Sequence, residues 1–301
     1  MEQSTASGPA ARRSRSEQVS PANLQLIYHY ILSKVATKIH PDMKPKPNST
    51  EQSAQHRLLK KLPEVTIFFW IIKLLTTGMG ETTSDYLAHQ MNPIFAVALG
   101  GSGLVIALLI QFLVRKYISW VYWLAIIMVA IFGTMAADAI HVVLGVSYLL
   151  STVGFSVVLS IIFAVWYMSE KTLSINHIYT LRRELFYWAT VMVTFALGTA
   201  AGDMTASTWG LGYFTSGVLF ALLFALPAFA YWRSGLNEVG AFWLAYILTR
   251  PLGASFADWI GKSQDVGGVG FGTGRISIVL AILIFGFVAY ETYSSKDSYS
   301  N

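Results

Sequence analysis

Long apolar stretches alternate with short polar ones from residue 62 almost to the C-terminus. Eight apolar segments can be recognised, at about 65–87, 93–114, 118–140, 144–168, 185–206, 211–232, 239–260 and 274–292. A helix of about 20 apolar residues is long enough to cross the roughly 30 Å hydrocarbon core of a bilayer. The pattern therefore predicts an all-α integral membrane protein with eight transmembrane helices.

Charged side chains at the segment ends predict the topology. Basic residues cluster before the first segment and in every second loop after it: Arg57, Lys60, Lys61, Arg115, Lys116, Lys171, Arg182, Arg183 and Arg233. The opposite loops carry few, with Lys262 and Arg275 as exceptions. Because basic loops stay in the cytoplasm, both termini are predicted to be cytoplasmic. Glu184, just ahead of the fifth segment, fits a helix cap or a surface charge.

The two ends of the chain differ from the apolar region. Residues 1–60 are rich in Ser, Gln, Pro, Arg and Lys, so they are predicted to form a disordered cytoplasmic extension. The transmembrane domain is predicted to span residues 61–292, and residues 293–301 form a short cytoplasmic tail.

The overall composition supports a membrane protein and excludes several chemistries. Hydrophobic residues make up 54% of the chain and charged residues only 12%, whereas a soluble domain carries about a quarter charged residues. The absence of cysteine excludes disulfides, thiolate metal sites and cysteine nucleophiles. The net charge of +5 does not indicate nucleic-acid binding, because the basic residues sit at the membrane boundaries.

The same spacing of three residue types recurs four times in the odd-numbered segments. A Trp is followed by Gly ten residues later and by Asp five residues after that. The four sets are Trp70, Gly80 and Asp85; Trp123, Gly133 and Asp138; Trp188, Gly198 and Asp203; and Trp243, Gly253 and Asp258. This predicts four tandem two-helix repeats, at about 61–114, 115–168, 181–232 and 236–292.

Small residues flank each repeat glycine at a spacing of four, as in Thr76, Gly80 and Ser84. Such a stripe lies on one helix face and lets helix backbones approach closely. The glycines and tryptophans are therefore predicted to serve repeat packing. Fifteen helical residues rise about 22 Å, so a Trp anchored at the cytoplasmic interface would place each Asp in the outer half of the membrane.

On these motifs the chain resembles a family of bacterial membrane proteins described as uncharacterised and membrane-anchored, with four tandem repeats of unknown function. The resemblance covers residues 61 to about 292 and rests on residues 61–85, 133–138, 198–203 and 250–258. It implies two transmembrane segments and one Trp per repeat, together with a bacterial inner-membrane location. It implies no activity.

The four aspartates are the main candidates for function. A carboxylate at membrane depth costs about 2.5–3.5 kcal/mol on insertion scales, so such residues are functional-site hypotheses. One turn earlier the chain has Glu81, Thr134 and Thr199, while Ala254 breaks the pattern. Carboxylates and hydroxyls suit Mg²⁺, Mn²⁺ or Ca²⁺, and His89 and His141 would extend the set toward Mn²⁺ or Zn²⁺.

The first interpretation is therefore a membrane transporter or permeation pathway for a cation, either a divalent metal or a proton-coupled ion. Asp85, Asp138, Asp203 and Asp258 are its candidate ion or metal ligands. Lys73 and Arg250 would complicate a bare cation site if either pairs with an aspartate of another repeat.

Two alternatives remain open from the sequence. In the first, the protein is structural or sensory and its Asp and Gly motifs serve helix packing. In the second, Arg250 contacts an anion and the protein is a proton-coupled carrier of a small organic solute. No Ser-His-Asp order or zinc-protease helix is present, so an enzyme is not predicted. No cofactor is predicted, and the partners are the bilayer and a small cation or solute. The sequence does not define an oligomeric state.

Overall fold

The computed structural model describes residues 61–297, with side chains to residue 293, and this part of the chain folds into eight long helices. They are α1 (Ile67–Gln90), α2 (Pro93–Leu113), α3 (Ser119–Leu144), α4 (Tyr148–Glu170), α5 (Leu181–Asp203), α6 (Gly212–Ser234), α7 (Glu238–Gly261) and α8 (Thr273–Asp297). The predicted extension, residues 1–60, lies outside the described residues. Helix α8 continues beyond the predicted boundary at residue 292.

Polar side chains define where most of these helices begin. The side chains of Thr66, Asn92, Ser147, Thr180 and Asn237 each accept a hydrogen bond from a backbone N–H in the first turn of the helix that follows. These bonds satisfy donors that the helix itself leaves unpaired. A π-helical turn, Met204–Thr208, extends α5 beyond Asp203.

The first helices of the four repeats form a closed inner ring. Helix α1 packs on α3, α3 on α5, α5 on α7, and α7 returns to α1. The second helices lie outside this ring: α2 packs on α3, α4 on α5, α6 on α7, and α8 on α1. Each outer helix thus covers the inner helix of the following repeat more extensively than its own, and the fourth repeat closes onto the first.

The repeat glycines set the distance between neighbouring ring helices. Each lies against the residue three positions before the glycine of the next ring helix: Gly80 against Ala130, Gly133 against Phe195, Gly198 against Arg250, and Gly253 against Thr77. A Cβ atom added at any of the four would overlap its neighbour. The same register therefore recurs at all four contacts of the ring.

The repeat aromatics form a second cyclic contact. The aromatic residue before each Trp packs on the Trp of the next repeat, with ring centroids 5.6–6.1 Å apart: Phe69 on Trp123, Tyr122 on Trp188, Tyr187 on Trp243, and Phe242 on Trp70. Trp123, Trp188 and Trp243 are buried. These tryptophans belong to the core of the ring, in packing contacts between repeats rather than as interface anchors.

Among the described helices, six are long and apolar enough to cross a membrane: α2, α3, α4, α5 with its π-helical turn, α6 and α8. Large apolar side chains on the outer helices are exposed, including Leu113, Val157 and Ile282, as expected for surfaces in contact with lipid. The chain is thus a helical membrane protein. The remaining two helices, α1 and α7, are less apolar because they carry charged residues in the middle of the ring.

Candidate functional site

The guanidinium of Arg250 lies on the axis of the ring, because it contacts all three other inner helices. Its Nη2 donates to Glu81 Oε2 at 2.6 Å, to Thr199 Oγ1 at 2.7 Å and to Thr134 Oγ1. Its Nη1 donates to the carbonyl of Thr77 at 3.3 Å. The Arg250 residue is fully buried.

The three acceptor side chains occupy equivalent positions, one residue after the repeat glycine. The hydroxyls of Thr134 and Thr199 donate to carbonyls of their own helices at 2.9 and 3.2 Å, which leaves their oxygen lone pairs to accept from Arg250. The fourth equivalent position is Ala254, on the same helix as the arginine. The oxygen set predicted as ion ligands thus surrounds a cation that belongs to the chain itself.

Lys73 lies against the ring of Phe195, whose centroid is 5.4 Å from Arg250 Cζ. Its Nζ is 4.0 Å from the centroid of Phe195 and 4.3 Å from that of Tyr246, in cation–π contacts strengthened by burial. Neither Lys73 nor Arg250 forms an ion pair with any of the four repeat aspartates in the described chain.

Two of the aspartates share a lysine that sequence reasoning had assigned only to a loop. Lys262 follows α7, and its Nζ lies 3.0 Å from Asp258 Oδ2 and 3.4 Å from Asp85 Oδ2. Burial alone would lower the pKa of the Lys262 ammonium, but the carboxylates of Asp258, Asp85 and Glu81 raise it well above its ordinary value. The sequence does contain one indication of this contact: Lys262 lies four residues after Asp258, a spacing that puts two helical side chains on one face.

Asp138 and Asp203 complete this end of the ring. Asp138 interacts electrostatically with Asp85, Asp258 and Glu81, and Asp203 interacts with Asp138 and Asp85. Both are partly exposed, and no ion pair among the described residues involves either of them. The four repeat aspartates thus converge, and together with Glu81 and Lys262 they define the carboxylate end of the ring.

The two histidines predicted as further ligands donate hydrogen bonds to backbone carbonyls through Nδ1. His89 Nδ1 donates to the carbonyl of Asp85 at 2.7 Å. His141 Nδ1 donates to the carbonyl of Val146 at 2.7 Å, and its ring stacks on Tyr148 with centroids 3.7 Å apart.

Three carboxylates on α1 and α7 are close enough together to coordinate one metal ion. Glu81, Asp85 and Asp258 each present a carboxylate oxygen, and these three oxygens lie within 4.8 Å of one another. In the structure the negative charges of this set are partly balanced by Arg250 and Lys262.

The opposite end of the ring axis is packed and apolar. The hydroxyls of Tyr122 and Tyr187 lie 2.6 Å apart, and Ile126 and Val191 are fully buried one turn further along their helices. The axis is therefore filled by side chains between this aromatic end and Arg250.

Each repeat matches the family described as Repeat of Unknown Function (DUF347), over residues 68–117, 121–172, 186–237 and 241–297. The chain belongs to this repeat family, as its sequence motifs predicted. Each match contains one inner and one outer helix. No curated protein and no solved structure matches the chain.

Proposed function

We propose that the protein is a membrane transporter or permeation pathway for a small inorganic cation, which binds at the carboxylate end of the ring. The supporting observation is an excess of negative charge. Five carboxylates, those of Glu81 and the four repeat aspartates, outnumber the three cationic groups of the ring, which are Arg250, Lys262 and Lys73. Unbalanced charge is costly away from water, so bound cations or protons would stabilise this arrangement.

In this proposal the four aspartates bind the ion, whereas Glu81, Thr134 and Thr199 do not. Asp85, Asp138, Asp203 and Asp258 offer hard oxygen ligands, which suit Mg²⁺, Mn²⁺ or Ca²⁺. Glu81, Thr134 and Thr199 hold Arg250 as a fixed counter-charge. The Nη2 of Arg250 donates to all three of these side chains, and its ion pair with Glu81 disfavours its use as an anion contact for an organic solute.

The proposal includes a topology with eight membrane spans. Although α1 and α7 carry charged residues, neighbouring helices cover them, and polar groups in membranes are tolerated when they face the protein interior. Both termini would lie in the cytoplasm of a bacterial cell, and the carboxylate end would lie in the outer half of the inner membrane. Passage of an ion would require movement of Arg250 and the aromatic layers.

A structural or sensory function is the second candidate, and the packed axis favours it. Side chains between the aromatic end and Arg250, such as Ile126, Val191 and Tyr246, are fully buried, which suits a packed core. On this view the aspartates serve folding alone, and no ion would cross.

Ion flux in proteoliposomes distinguishes the two candidates. The purified chain would be assayed for Mn²⁺, Mg²⁺, Ca²⁺ and proton movement with dyes enclosed in the vesicles. We expect flux in the wild type and its loss in Asp138→Asn and Asp203→Asn. The melting temperature should not change, because neither carboxylate forms an ion pair with another described residue. Asp265→Asn is the matched control, since Asp265 is an exposed aspartate in the α7–α8 loop. Absence of flux for every ion, together with a lowered melting temperature in both variants, would favour the structural function.

A further inference from the structure

Lys262 occupies the space between two of the proposed cation ligands. Its ammonium lies 3.0 Å from Asp258 Oδ2 and 3.4 Å from Asp85 Oδ2, so it already holds the position between the two carboxylates and partly balances their charge. We propose that Lys262 is a tethered competitor: a divalent cation binds Asp85 and Asp258 only by displacing its ammonium, and Lys262 thereby sets the affinity of the site. This inference rests on the proposed cation site.

The two cationic groups near the carboxylates differ in how firmly they are held. The Arg250 side chain is 1% exposed and donates to acceptors on three helices. The Lys262 side chain is 23% exposed and follows the last residue of α7. Lysine carries a compact charge on a flexible stem, so its ammonium can move toward water while Arg250 stays in place.

The oxygens left by a departing ammonium are suited to a metal ion. Asp258 is 2% exposed, and its Oδ1 has no hydrogen-bond partner in the described part of the chain. Asp85 Oδ2 has the Lys262 ammonium 3.4 Å away, so displacement of the ammonium frees this oxygen. Ligands of Ca²⁺ lie about 2.3–2.6 Å from the ion and so at most about 5 Å apart. The carboxylate oxygens of Asp85 and Asp258 lie within 4.8 Å of each other, which is compatible with a site of this size.

In the same position Lys262 Nζ also lies 4.9 Å from the ring centroid of Tyr213. A metal ion that displaces the ammonium from the aspartates must therefore also disturb this cation–π contact.

Direct binding of Mn²⁺ to the full-length protein in detergent micelles tests this inference without measuring transport. Free Mn²⁺ would be quantified by its electron paramagnetic resonance signal during titration. Lys262→Met is expected to bind Mn²⁺ at least about tenfold more tightly than the wild type, a modest effect for removal of a unit charge about 4 Å away. Lys262→Arg, which restores a cation, should return the affinity toward the wild-type value.

Two controls separate competition at this site from a general charge effect. Lys116→Met removes an exposed lysine from the α2–α3 loop and should leave Mn²⁺ affinity unchanged. Adding Asp258→Asn to Lys262→Met should abolish the gain in affinity. Lys262→Gln carries the same expectation as Lys262→Met and replaces it if that variant does not elute as a single species.

An affinity of Lys262→Met equal to or weaker than that of Lys116→Met would overturn the inference. So would a gain that persists after Asp258→Asn. If the wild type shows flux that depends on Asp138 and Asp203 while Lys262→Met binds Mn²⁺ no better, the proposed function stands and this inference falls. If flux is absent but Lys262→Met gains affinity that requires Asp258, this inference stands without transport.

Discussion

Replacing Arg250 with Met is expected to destabilise the ring strongly, because it leaves the Glu81 carboxylate buried without its counter-charge. Glu81 is 2% exposed, and the lost ion pair is 2.6 Å long. Removing one partner of a buried ion pair costs about 3–5 kcal/mol. Methionine fills most of the space of the arginine stem, so this loss reflects charge more than an empty cavity.

Neutralising Glu81 in the same chain should recover much of that loss. The double variant Glu81→Gln, Arg250→Met keeps a polar group beside Thr134 and Thr199 but buries no unpaired charge. Replacing a whole buried ion pair by neutral residues is often close to neutral in stability. The double variant is therefore expected to be more stable than Arg250→Met alone.

The measurement is the free energy of unfolding from reversible SDS titration in mixed micelles, followed by helical circular dichroism. Arg182→Met is the matched control, because the Arg182 side chain is 65% exposed and its ion pair with Glu170 is 3.4 Å long. A surface pair of this kind is worth about 0–1 kcal/mol. The reasoning is refuted if Arg250→Met costs no more than Arg182→Met, or if Glu81→Gln lowers stability further when added to it.

Two further stability predictions use the same assay. Gly80→Ala should cost about 1–3 kcal/mol, because the added Cβ would overlap Ala130 and push α1 away from α3. Gly154→Ala on α4 should be neutral or stabilising, because a Cβ added there would have no described neighbour within 4 Å. Equal effects of the two substitutions would contradict the ring contact. Glu184→Gln should cost about 1.5–3 kcal/mol, because the buried Glu184 carboxylate accepts hydrogen bonds from Lys61 at 2.6 Å and from Gln111 at 3.1 Å. Glu64 is exposed, so Glu64→Gln should change stability little. A similar loss in both variants would argue against the ion pair of Glu184 with Lys61.

The helices and the repeat could be predicted from the sequence because both are local properties. Apolar length and capping residues determine the helix boundaries, and the recurring Trp, Gly and Asp positions define the four units. The partner of each outer helix could not be predicted. An outer helix with apolar residues all round packs equally well, on sequence grounds, against its own repeat or the next.

Most residues of the candidate site could be predicted from the sequence, but the contacts between them could not. The spacing identified the aspartates together with Glu81, Thr134 and Thr199, but it could not show that Arg250 fills the space among the latter three. Lys262 and Glu184 were assigned to loops or surfaces because each lies at the end of an apolar segment. Their burial depends on which helices contact each other across the ring, and the local sequence around each residue does not specify those contacts.

Closure of the ring is the central claim, because convergence of the four aspartates depends on contact between the fourth repeat and the first. Ser277 on α8 donates to Thr82 on α1 at 2.8 Å, and the chain has no cysteine of its own. Oxidation of the double variant Thr82→Cys, Ser277→Cys in membranes should give an intramolecular disulfide. The disulfide would protect both cysteines from a high-mass maleimide reagent, so the monomer band on a denaturing gel would not shift. The pair Thr83→Cys, Ser277→Cys, about 100° round α1, should cross-link much less. Equal cross-linking of both pairs, or disulfides formed only between chains, would contradict the closed ring.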